Sequence, residues 1–128
     1  GVASLDSSGL IPNGQIPVRY SAAMYPLYKG GSVTNGSLHL MRLWKQVLRV
    51  DGVSLKTEAG TCDVTMTVDG AAAGSTYSVS ATASNQTFGT IIQIDAVTVG
   101  KSIDFTITNA DSACVGLQVS LSTATAII

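Results

Sequence analysis

From residue 51 onward, apolar and polar positions alternate with period two. The runs are rich in Val, Ile, Thr, Ser, Tyr and Phe, and Gly, Asn and Asp cut them about every eight to twelve residues. This pattern predicts strands near 53–57, 61–69, 75–83, 87–94, 103–109 and 115–122, with a short further strand near 124–128. The inward faces are clearest at Val64, Met66 and Val68, at Ile103, Phe105 and Ile107, and at Val115, Leu117, Val119 and Leu121. Asp69-Gly70 and Val99-Gly100 are turn signals, because glycine supplies the positive φ that tight connections need. Six or seven short strands of this kind define a mainly β chain, a small β-sandwich or jelly roll.

The pattern differs before residue 51. Leu40, Leu43, Val47 and Val50 recur at spacings of three and four, and Arg42, Lys45, Gln46 and Arg49 do so on the opposite side. That double match predicts an amphipathic helix over 37–50, capped by Ser37. Its apolar stripe, Leu40, Leu43, Val47 and Val50, has the a/d spacing that would gather parallel copies as an oligomer neck. The opposing reading is a strand, since Asp51-Gly52 between Val50 and Val53 is a hairpin signal.

Residues 1–31 carry isolated apolar hooks at Leu5, Leu10, Ile11 and Ile16 on a stretch punctuated by Pro12, Asn13-Gly14 and Pro17. Proline fixes φ and drives the preceding residue to extended geometry, so the stretch reads as an arm. Gly30-Gly31 reads as its hinge. Hooks without a core of their own suit a groove on another molecule. The expected contact residues are Leu5, Leu10, Ile11, Ile16, Arg19, Tyr20, Tyr25 and Tyr28, the tyrosines as interface anchors. The organisation expected is therefore an arm at 1–31, a neck at 32–50 and a β domain at 51–128.

Composition sharpens this picture. Of the 128 residues 45% are hydrophobic and only 12% charged, with a net charge of -1, so the repulsion that keeps monomers apart is nearly absent. Such a surface suits an assembly. Disorder requires low hydrophobicity and high charge, and nucleic-acid binding usually brings a basic excess, so neither is expected. The near-neutral total is a cancellation. Arg19, Lys29, Arg42, Lys45 and Arg49 against Asp6 give the first 50 residues +4. Lys56 and Lys101 against Asp51, Glu58, Asp63, Asp69, Asp95, Asp104 and Asp111 give the rest -5. No run approaches a membrane-spanning length and no basic-then-apolar leader is visible, so neither membrane nor export signal is expected.

The residues that carry chemistry are few. His39 is the sole histidine, with no H-E-x-x-H, paired His or C-x-x-C around it, so it is expected as a packed or surface residue, without metal or cofactor. No G-x-S-x-G elbow is present. Asp63 and Asp104 lie on polar faces of predicted strands and form the carboxylate pair to check for glycoside cleavage, but the aromatic platforms of a sugar groove are scarce. The chain is not expected to be an enzyme. Strand parity places Cys62 with Val64, Met66 and Val68, and Cys114 opposite Leu117, Val119 and Leu121. One thiol then faces the core and the other faces out, and only a bulge reversing either parity would allow a disulfide.

The stretch Ala3-Ser4-Leu5-Asp6-Ser7-Ser8-Gly9-Leu10-Ile11-Pro12-Asn13-Gly14-Gln15-Ile16-Pro17 resembles a connector of tailed-bacteriophage fibre proteins, A-x-L-D-x-x-G-x-[IV]-P followed by Q-[LI]-P. Leu10 stands where the family often has Lys, which makes this arm more apolar. The resemblance implies a virion component, homotrimeric as such fibres usually are. Its arm would dock on a capsid or other virion protein, as in a head fibre or capsid decoration protein. A tail-fibre or adaptor segment contacting the host, or a carbohydrate-binding module with a host-surface glycan as ligand, is the alternative.

Overall fold

The period-two runs pair in an order that mirrors about the middle of the chain. The computed structural model describes residues 20–126. Eight strands follow one another: β1 (Tyr20–Ser32), β2 (Gly36–Leu43), β3 (Val47–Lys56), β4 (Cys62–Val68), β5 (Ala71–Val79), β6 (Ser84–Asp95), β7 (Lys101–Thr108) and β8 (Val115–Ala126). All neighbours are antiparallel, and first pairs with last: β1 with β8, β2 with β7, β3 with β6, and β4 with β5. That nesting is one long hairpin. Pairing of β3 with β8 and of β4 with β7 rolls it into two sheets, β1-β8-β3-β6 and β2-β7-β4-β5. The chain is a β-sandwich of jelly-roll topology, with eight strands where six or seven were expected.

The core fills the space between the sheets. Val64 and Met66 of β4, Ile103, Phe105 and Ile107 of β7, and Leu117, Val119 and Leu121 of β8 are buried as their alternation predicts. Val68 and Val115 are only half-buried. Among the described residues, the three buried threonines are hydrogen-bonded, as buried hydroxyls must be. Thr57 Oγ1 donates to Gly60 O at 2.8 Å, Thr67 Oγ1 to Asp104 O at 3.3 Å and Thr123 Oγ1 to Ala23 O at 3.0 Å.

The sandwich begins well before residue 51. Residues 37–50 form no helix; they make β2, a short turn, and the first part of β3. A lone helix of 14 residues would have needed neighbouring copies to cover its stripe. As the central strand between β8 and β6, β3 instead buries Leu48, Val50, Val53 and Leu55 within its own chain. The spacing misled because its four residues fall on two strands: Leu40, at the register shift between His39 and Met41, and Leu43 belong to β2, while Val47, off the inward face of Leu48 and Val50, and Val50 belong to β3. Further along β3 a bulge interrupts the alternation. Asp51 is one extra residue between Val50 and Gly52, and inward parity passes from 48 and 50 to 53 and 55. Asp51-Gly52 is therefore mid-strand and not a hairpin turn. A Cβ on Gly52 would lie 2.7 Å from Gln86 O, so glycine lets β6 approach.

Residues 20–31 likewise belong to the sandwich and not to an arm, since they form most of β1. Pro26 is tolerated because β1 is an edge strand. Gly30-Gly31 is a bulge, with Gly31 at φ 70°, where the register with β8 shifts between Lys29 and Ser32. The 124–128 run is the continuation of β8 as far as Ala126.

Candidate interaction surfaces

The strand directions send both ends of the described chain to one end of the sandwich, where Tyr20 pairs with Ala126. The β2–β3, β4–β5 and β6–β7 connections share that end, and the others lie at the opposite end. The start of β1 therefore lies at the same end as the apex formed by 44–46, 69–70 and 96–100.

The apex is braced and apolar. Lys45 N donates to Ala96 O at 2.7 Å, and Ala96 N to Gln46 O at 2.8 Å, which ties two of the connections together. Asp69 and Asp95 brace it further, their carboxylates accepting from Ser102 N at 2.8 Å and Val97 N at 3.0 Å. Lys45 holds φ 59°, a conformation non-glycine residues rarely adopt, and such strain persists only where surroundings enforce it. Yet this rigid end presents Trp44 at 58%, Val97 at 50% and Val99 at 65% exposure. Lys45 Nζ lies 5.6 Å from the Trp44 ring centroid. A Cβ on Gly100 would meet Trp44 Cε3 at 3.2 Å and Arg42 Nη2 at 3.1 Å, so the bare glycine lets both side chains lie over it. Periodicity does not reveal this surface, because it is made of connections. The signal available in the sequence was a lone tryptophan beside Lys45, read there as part of a helix.

A second feature lies on the outer face of the β1-β8-β3-β6 sheet. The Asp51 bulge of β3 sits beside a larger irregularity in β6, where residues 88–91 fall between Thr87, opposite Gly52, and Ile92, opposite Val50. Together they open a hollow of about 540 Å³. Its lining includes the small residues Gly52, Ser54, Ser120 and Ser122 and the apolar residues Met24, Phe88 and Ile91. Ser54 Oγ donates to Asn85 Oδ1 at 2.5 Å within it. Among the described residues that line it, Asp51 is the only charged one.

The residues expected to contact partners divide three ways. Leu5, Leu10, Ile11, Ile16 and Arg19 lie outside the described residues. Tyr20 opens β1, Tyr25 is half-buried against the core, and exposed Tyr28 donates from its hydroxyl to Glu58 Oε1 at 2.9 Å. That bond to a carboxylate holds the Tyr28 phenol above its ordinary pKa. The neck residues are not laid out as one exposed stripe. Leu43 and Val50 are buried in the core, and Leu40 and Val47 are half-buried, so these four do not form a free stripe.

The candidate catalytic groups are dispersed. His39 is exposed on β2, with Nδ1 2.6 Å from Asp104 Oδ1 on β7. Asp63 accepts from Asn109 Nδ2 at 2.8 Å. Asp63 pairs with Thr108 and Asp104 with Thr67, so four residues of β7 separate the two backbone positions. At the strand rise this is about 13 Å, beyond the spacing of about 5–9.5 Å that glycoside cleavage uses. Among the described residues no three His, Cys, Asp or Glu side chains are grouped to hold a metal.

Both thiols are buried and free. The expectation that Cys114 faces outward fails because it precedes β8, and Gly116 at φ 64° breaks the alternation before Leu117. Burial pushes the Cys62 thiol up to about 12, and Cys114 beside it adds to the rise.

No family model matches the chain, and comparison with curated proteins finds no match either. Among solved structures, the "Structure of infectious bursal disease virus Gt strain" is similar over 87% of this chain at 12% identity, with a TM-score of 0.35. This chain spans 38% of that structure's chain. A likeness of that size carries no argument about function.

Proposed function

We propose that this chain is a non-enzymatic structural component of a phage virion, a head fibre or capsid decoration protein that works as a homotrimer. The observation that carries the reading is where the connector sequence sits. Residues 3–17 resemble the fibre connector, and they lie directly before β1, outside the strands that build the sandwich. Residues 1–19 would bind a groove on the particle through Leu5, Leu10, Ile11 and Ile16, with Arg19 favouring an acidic surface. The jelly roll would then project from that anchor. Its interior is filled with apolar side chains, which suits a rigid building block; jelly rolls serve capsids and lectins alike, so the fold by itself does not choose.

The test is co-sedimentation of purified protein with phage particles assembled without it. The full chain should bind, and a chain starting at residue 20 should stay in the supernatant while remaining folded. Equal binding by the shortened chain would show that residues 1–19 are not the anchor. Electron-microscopic reconstruction of the particle would distinguish a head from a tail position.

A further inference from the structure

Among the described residues, six large hydrophobic side chains are exposed: Met24, Tyr28, Trp44, Ile91, Val97 and Val99. Five of them belong to two places. Trp44, Val97 and Val99 form the apex, and Met24 and Ile91 line the sheet hollow. Scattered exposed hydrophobics need no explanation, but two concentrated patches do, one on the connections and one concave.

We infer that the apolar apex of one copy seats on the sheet hollow of the next, so that copies close into a ring through an apex-on-hollow contact. This rests on the reading of the chain as an oligomer and assigns the surfaces that build it. The hollow, at about 540 Å³, is within the size range of small-molecule pockets, so it has room for an indole ring. Its serine and glycine floor has no long charged side chain to desolvate, and its apolar residues match the Trp44 face. The charges are complementary. Arg42, Lys45 and Lys101 outnumber Asp69 and Asp95 at the apex, which leaves it a net positive charge. The hollow offers the single carboxylate of Asp51. Seating brings Lys45 toward Asp51, which favours this pairing over apex against apex. The patches are different surfaces of one chain, so the contact is heterologous and closes into a ring when the rotation between copies permits. The apex is held in shape by the Lys45–Ala96–Gln46 bonds before association, so little ordering is required.

Sedimentation equilibrium on the full chain, together with emission from its single tryptophan, tests the contact. The wild type should be trimeric, and its Trp44 emission should move to shorter wavelength as concentration rises through the association range. Trp44→Ser and Ile91→Asp should each weaken association by at least about tenfold, and the double variant should lose little more than either single one. Both side chains are exposed, so the variants should keep the wild-type circular dichroism spectrum and melting temperature. In Ile91→Asp the emission should stay at the monomer wavelength at every concentration. Lys45→Glu should dissociate the trimer, and adding Asp51→Lys should restore it. A trimer unaffected by Trp44→Ser and Ile91→Asp would overturn the apex-on-hollow contact and leave the oligomer standing. A wild type that remains monomeric would overturn both.

Discussion

Gly60 lies where two connections at the end opposite the apex come closest, and replacing it with alanine tests the packing of that end. It has φ 72°, and a Cβ there would lie 2.3 Å from Cys114 N, 2.5 Å from Ala113 C and 2.5 Å from Asp111 Oδ1. Two of these atoms are backbone and cannot rotate away. The left-handed conformation alone costs alanine about 1–2 kcal/mol. Relieving the overlap must also move the loop before β8 off the start of β4. Asp111 N donates to Thr61 O at 3.0 Å, and the Asp111 carboxylate accepts from Thr61 N and Oγ1 at 3.1 Å each. At about 1 kcal/mol per bond, weakening two or three of these brings the total to about 3–5 kcal/mol. That is a large part of the roughly 5–15 kcal/mol that holds an ordinary domain together. Gly70→Ala supplies the control, because Gly70 has φ 83° with nothing within 4 Å of a built Cβ, so only the conformational cost applies. Urea unfolding of the two variants, at equal slope with denaturant, should separate them by about 2 kcal/mol. If Gly60→Ala costs no more than Gly70→Ala, the close approach of the two connections is wrong.

Truncation should distinguish arm from strand. Removing 1–19 should leave the melting transition in place, whereas removing 1–31 deletes β1, uncovers the β8 edge and should give aggregated protein in size-exclusion chromatography. The thiols should resist iodoacetamide in the folded protein at neutral pH and react fully in urea, as mass spectrometry will show. Because the Cys62 thiol moves from 9.0 to about 12, its contribution to stability is complete below pH 9 and is lost as pH rises toward 12. The urea midpoint should therefore fall more steeply over that window in the wild type than in Cys62→Ser, and parallel curves would contradict this. His39→Ala should change stability by less than about 1 kcal/mol, since exposed pairs contribute little, and a larger loss in the same urea assay would require His39 to be more than a surface partner of Asp104.

The strands most legible in the sequence are those whose two faces meet different environments. β4, β7 and the first part of β8 each place one face on the core and the other toward solvent, and such half-burial writes a period of two into the chain. β1 was not legible because its outer positions Met24 and Pro26 are as apolar as its inner positions Tyr25 and Leu27, so the alternation vanishes. The start of β3 was disguised because Val47, on its outer side, and Val50, on its inner side, continued the spacing of Leu40 and Leu43 across the 44–46 turn. The apex could not be read from period at all. Trp44, Val97 and Val99 are more than 50 positions apart at the extremes, and only the mirror-image pairing brings their connections to one end.

By itself the sequence determined the β class, most of the core, the scarcity of charge and the connector-like stretch at 3–17. Each of these depends on a residue and its near neighbours: which side of a strand is apolar, where glycine permits a turn, how many ionised groups are present. The tertiary structure decided that eight strands and not six or seven close the sandwich, that residues 20–50 belong inside it, that Cys114 is buried, and that the exposed hydrophobics gather at an apex and a hollow. Those outcomes depend on which strands pair. Pairing is set by the requirement that every buried backbone group find a partner while both sheets cover one core, and that condition applies to the whole chain at once.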